Sequence, residues 1–152
     1  MCSSDLMVSA CRFILTIFVC LAALFPLSAT ADDAINLRAL LISREFGQLD
    51  AVLLELNRTL STETLTERAF RRKLMPLFKA PAELEPLLTE WLNASANPAL
   101  VLIVRGGFHF EQGWLARGDN YSNHTPKQQI ARMEAHFEQA QADLNTALTK
   151  DP

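Results

Sequence analysis

The sequence predicts an all-α protein, a short stack of helical hairpins preceded by a secretory signal peptide. Three observations lead there. Five of the six segments after the leader place apolar residues at helical spacing or open and close on capping residues. The stretches between them are short. The first 31 residues have the charge, apolar run and cleavage motif of an export signal. The expected division is a signal peptide over 1–31 and a helical domain over 32–152.

In the leader, Arg12 supplies positive charge, the apolar run 13–27 is broken only by Thr16 and Pro26, and Ala29-Thr30-Ala31 is an A-x-A site ahead of Asp32-Asp33. A membrane-spanning helix needs roughly 20 apolar residues; this run is shorter and contains a proline. It therefore reads as a cleaved signal, and the product as periplasmic or secreted, touching a membrane only through the uncleaved leader. Cys20 does not read as a lipidation site, because Ile17-Phe18-Val19 lacks the small residues such a site needs and the apolar run continues past it. Cys2-Ser3-Ser4-Asp5-Leu6 matches one reading frame of a common sequencing adapter, which places the native start at Met7. The three cysteines, Cys2, Cys11 and Cys20, all lie in the leader, so residues 32–152 can form no disulfide, thiolate metal site or cysteine nucleophile.

The first helical pattern is Leu37, Leu40 and Leu41 within 33–44, interrupted at Phe46-Gly47 before Leu49, Val52, Leu53, Leu56 and Leu60 recur. That is a hairpin with a tight glycine turn. A third helix is expected from Thr64, where Thr64-x-x-Glu67 has the form of a capping box; Phe70, Leu74 and Phe78 are its stripe, and Pro76 must end or kink it. Pro81 and Pro86 bracket the start of a fourth, with Leu87, Leu88, Trp91 and Leu92, closing at 93–97. The segment 99–117 begins with a β-branched apolar stretch, 99–104, that suits a buried strand or a buried helix; helix is the expectation, because Phe108, Phe110, Trp114 and Leu115 follow with no hairpin turn. The last segment opens on Thr125-Pro126, with Gln128 at the capping-box position. Ile130, Met133, Phe137, Ala140, Leu144 and Ala147 then repeat at helical spacing, as in an amphipathic helix.

Ala140-x-x-x-Leu144-x-x-Ala147 followed by Pro152 resembles the second helix of a tetratricopeptide repeat, with Gly107 and Phe110 at the small and aromatic positions of a first helix. With Trp91, Pro98 and the stretch Gly113-Trp114-x-Ala116-Arg117-Gly118-x-x-Tyr121-x-x-x-Thr125, the pattern over 37–152 resembles a bacterial domain-of-unknown-function family of tetratricopeptide-like helical-repeat proteins. The resemblance implies an α-solenoid-like fold and brings no activity with it. Members of that family run on past the equivalent of Pro152, so the chain also reads as a fragment or short version of a longer repeat protein.

Composition narrows the chemistry. Lys plus Arg number 14 against 17 Asp plus Glu, a net charge of −3 that argues against nucleic-acid or anionic-membrane partners. His109, His124 and His136 lack the i, i+4 pairing of a metal site, so no metal or cofactor is expected. Gly106-Gly107 lacks the Lys-Ser/Thr of a phosphate loop, and no G-x-S-x-G elbow is present. The sequons at Asn57, Asn93, Asn120 and Asn123 read as turn and cap chemistry.

One group stands out as a candidate binding site: Arg105, Trp114, Arg117 and Tyr121, aromatic and cationic side chains beside a glycine-marked loop, suited to a carboxylate or a peptide. Its structural counterpart has Arg117 paired with Asp119 or Asp143 while Trp114 and Tyr121 fill the core. The functional expectation is a module that binds a protein or peptide partner without catalysis, with self-association through the C-terminal helix as one form of it. The alternatives are a small hydrolytic or transfer enzyme using His109 or His124 with a carboxylate, and a structural fragment of a longer repeat protein.

Overall fold

The structure is a computed structural model that describes residues 36–62, 64–119 and 124–150. All belong to the unit Ile35–Pro152. The expected signal peptide, Tyr121, the sequons at Asn120 and Asn123, and Pro152 lie outside the described residues.

Six helices make up the described chain: α1 (Leu37–Ile42), α2 (Phe46–Ser61), α3 (Glu67–Phe78), α4 (Glu85–Ala94), α5 (Pro98–Arg117) and α6 (Lys127–Lys150), with a 3-10 turn at Ala82–Leu84 before α4. The all-α expectation holds, and among the described residues no strand occurs. None of these helices is long and apolar enough to cross a membrane.

Local chemistry sets the helix ends. The Asn36 side chain accepts from the Ala39 amide at 3.1 Å and caps α1. The turn into α2 differs from the expected glycine turn: Arg44 carries the positive φ, 59°, while Gly47 lies inside the first turn of α2. The Glu45 amide closes this turn onto the Leu40 carbonyl at 2.9 Å, and Arg44 reaches Glu90 at 3.0 Å. The cap of α3 is likewise displaced from expectation. Thr66, not Thr64, accepts from the Ala69 amide, and the Thr64 hydroxyl instead donates to the Thr59 carbonyl at 2.9 Å. Pro76 ends α3 two residues later, at Phe78. The Arg38 guanidinium donates to the Pro76 and Lys79 carbonyls at 3.0 Å, satisfying acceptors the helix end leaves open. Asn57 and Asn93 sit within α2 and α4 and not at turns.

The core joins Leu41, Leu49, Leu74, Leu77, Leu88 and Trp91 to Val101, Val104 and Phe108 of α5, all fully buried. Trp91 is anchored as well as buried: its Nε1 donates to Asp50 at 2.8 Å, and the same carboxylate accepts from the Ser95 hydroxyl at 2.7 Å. This ties the C-terminus of α4 to α2. The stretch 99–104 is apolar because α5 packs against α2, α3, α4 and α6, which buries Val101, Leu102 and Val104 and leaves Ile103 partly covered.

Helix α6 runs antiparallel along α5: Gly106 meets Ala140 and Leu144, and Gly113 meets Met133 and Phe137. A Cβ on Gly113 would lie 2.6 Å from the Phe137 ring, so the glycine sets this close approach. The buried edge of α6 is rotated from the expected apolar stripe. Ala140, Asp143 and Ala147 are buried, whereas Leu144 is 41% exposed.

Candidate functional site

Two faces of α5 carry chemistry. Successive helical residues turn by about 100°, which puts Arg105 half a turn away from Trp114. The structure accordingly separates them. Trp114 and Arg117 share one face, and Arg105 points into the opposite flank of the α5–α6 seam.

Along that flank Arg105 donates to both oxygens of Asp143, at 2.7 and 2.6 Å, and to the Thr89 hydroxyl at 3.3 Å. Asp143 is thus the partner of Arg105 and not of Arg117. One turn along, His109 is 4% exposed and its ring lies over that of His136, centroids 6.0 Å apart and 28° from parallel. Its Nε2 is 4.0 Å from Glu85, and the Nδ1 atoms of both rings are buried without a hydrogen-bond partner. Burial holds the His109 imidazole less basic than an ordinary histidine. Glu85 and Asp143 oppose the effect, while Arg105 and His136 add to it. Gln112, nearly a turn further on, leaves the seam and donates to the Ala80 carbonyl in the α3–α4 connection at 2.9 Å. The seam therefore has a polar interior in which the forked guanidinium–carboxylate pair sets the register between α5 and α6.

The other face is aromatic and open. Phe110 and Phe137 stack at 5.4 Å, and Trp114 meets Phe137 edge-on at 5.6 Å and Phe110 at 6.2 Å. Such offset and edge contacts are the favoured aromatic geometries. Arg117 places its guanidinium 5.8 Å from the Trp114 ring centroid, within cation–π range, and also donates to the Gly118 carbonyl. Gly118, at φ 71°, ends the helix immediately afterwards. Trp114 is 48% exposed and Phe110 41%, so Trp114 does not fill the core as its structural counterpart required. Leu115, 68% exposed, lies about 100° round the helix from Trp114 and off this stripe.

Of the four residues singled out in sequence, Trp114 and Arg117 are in contact, Arg105 is engaged elsewhere, and Tyr121 is outside the described residues. Phe110 and Phe137 belong to the aromatic cluster and were missed. The i, i+4 spacing of Phe110 and Trp114 was a legible signal; that Phe137 enters opposite Gly113 was not. The His109–His136 pair was also unforeseen, since its members come from different helices.

A cavity of about 410 Å³ lies at the other end of α5, lined by Leu54, Asn57, Pro98, Leu100 and Lys150 among others, and none of the histidines reaches it. Among the described residues no cluster of three or more His, Cys, Asp or Glu side chains is arranged to hold a metal ion. Comparisons of the chain with protein-family models, curated proteins and solved structures returned no match, so the reading of this site rests on its own geometry.

Proposed function

We propose that the chain is an exported tetratricopeptide-like helical-repeat module that binds a protein or peptide partner through the Phe110, Trp114 and Phe137 cluster, with Arg117 at its rim. The observation that carries this reading is the exposure of Trp114 and Phe110. Large aromatic rings in mutual contact on the outside of a helix lose no conformational freedom to a partner and present a concentrated apolar surface. Trp, Tyr and Arg are the residues that dominate binding energy at interfaces, and contiguous exposed apolar patches mark interaction sites. Export is supported by the leader's composition, and the repeat arrangement by the sequence pattern. The enzyme alternative is less well supported, because His109 is almost wholly buried between His136 and Glu85 and His124 is an exposed residue with no carboxylate in ion-pair range among the described residues.

A peptide library displayed on phage and selected on the full chain tests the proposal. Enriched peptides should fail to bind the Phe110→Ala/Trp114→Ala variant, whose helical content by circular dichroism should be unchanged. Equal enrichment on both proteins would refute the site.

A further inference from the structure

The aromatic cluster lies on a stripe of α5 flanked by α3 on one side and α6 on the other. Positions 103, 110, 114 and 117 of α5 fall on one stripe at helical spacing. On one side of that stripe α3 approaches: Phe78 packs where a Gly107 Cβ would stand, and Arg71 pairs with Glu111 at 3.6 Å. On the other side lies α6, with Leu144 against Gly106 and Phe137 against Gly113. The stripe between them is the floor of the site, and Phe110 and Trp114 are its exposed rings. From Ile103 to Arg117 the floor spans about 21 Å at the helical rise. Along the α6 wall Leu144 and Leu148, 41% and 66% exposed, continue the apolar surface one and two turns beyond Ala140.

The α3 wall is basic. Its sequence, ERAFRRKLMPLF, holds four cations and a single acidic residue. Arg71 is taken by Glu111, whereas Arg68 and Arg72, one turn apart, are exposed and make no ion pair among the described residues. The α6 wall presents Glu134 and Glu138, both exposed. A broad anionic surface laid over the stripe would meet those two carboxylates as well as the arginines. A narrow segment can turn its acidic edge to α3 alone while its apolar side covers the rings. Resting on the binding reading above, we infer that the occupant is an acidic amphipathic helix of a partner protein, with apolar anchors at i, i+3 or i+4 and i+7 seated on Phe110, Trp114 and Phe137 and its carboxylate edge along Arg68 and Arg72. This is the helix-in-groove mode of recognition with charge fixing the orientation.

Fluorescence anisotropy with the full chain tests the inference. The probe is a labelled amphipathic peptide of about 18 residues, long enough to fill the floor, with Leu and Phe anchors and Glu at the remaining positions. The control has Lys in place of each Glu. The Glu peptide should bind at least about tenfold more tightly than the Lys peptide, and the preference should shrink as salt is raised. The Arg68→Glu/Arg72→Glu variant, altered only at exposed positions, should reverse the preference, and Trp114→Ala should weaken both peptides. If Trp114→Ala abolishes binding while the charge variant and the Lys control make no difference, the acidic partner is wrong and the binding site stands. If neither variant changes the binding of either peptide, both readings fall. Preferential binding to phosphatidylglycerol vesicles over the Glu peptide, lost in the charge variant, would overturn the inference in favour of a lipid surface.

Discussion

Asp143, 6% exposed on the last long helix, accepts two hydrogen bonds from a guanidinium that projects from the helix beside it. The Asp143 side chain is 8% exposed and that of Arg105 20%, so the carboxylate depends most on its partner and the pair is best tested by halves. Asp143→Ala leaves Arg105 without its carboxylate in the seam and should cost about 2 to 4 kcal/mol in urea unfolding. The double variant Arg105→Met/Asp143→Leu should recover most of that loss, because it removes the buried charges along with their attraction. His109 yields a prediction in pH. Its folded-state basicity lies below the ordinary histidine value of 6.5 because burial disfavours the imidazolium. The unfolded chain therefore takes up its proton first, so this contribution to stability is complete above about pH 6.5 and is lost as pH falls through the folded value. Unfolding free energy measured from neutral pH down to about 5 should decline, and His109→Gln should flatten the decline. The identities of these residues were readable in the sequence, but their partners were not. Asp143 was one of two carboxylates, with Asp119, expected to pair with Arg117, and His136 had no expected partner, because the 38-position separation of Arg105 and Asp143 hides a contact made across two helices.

Between helices, glycine sets the spacing. At Gly113 an added methyl would stand 2.6 Å from the Phe137 ring and 3.2 Å from the Met133 carbonyl oxygen. The ring can turn, but the backbone of α6 can only move away. Gly113→Ala is expected to cost about 1 to 3 kcal/mol and to disturb the contact between Phe137 and Trp114. Gly47, in the first turn of α2, meets nothing within 4 Å, so Gly47→Ala should be neutral or stabilising by up to about 1 kcal/mol. Thermal midpoints of the two variants, shifting in opposite directions or with Gly47→Ala unchanged, would bear this out. The helices themselves were legible in apolar spacing and proline placement, and α5 was expected as a helix despite its β-branched start. The turns were less so. Thr64 and Thr66 are equally good caps by composition, and Thr66 takes the role because Thr64 is already engaged with the Thr59 carbonyl. A left-handed residue is most easily accommodated as glycine, yet it falls at Arg44, whose side chain is held by Glu90.

At the scale of the whole chain, the export reading makes a prediction independent of the binding site. Protein recovered from the periplasm of an expressing bacterium should have an intact mass that begins at Asp32, and full-length chain retained in the cytosol would refute it. The all-α class and the segment order followed from the sequence by itself, because helical period, caps and prolines act between residues a few positions apart. That Arg105 belongs to Asp143, that His109 faces His136, and that Phe137 completes an exposed cluster with Phe110 and Trp114 was decided only when α6 folded back along α5. The physical reason is the antiparallel register: a pairing of Gly106 with Ala140 and of Gly113 with Met133 brings together side chains whose separation along the chain carries no periodic signal.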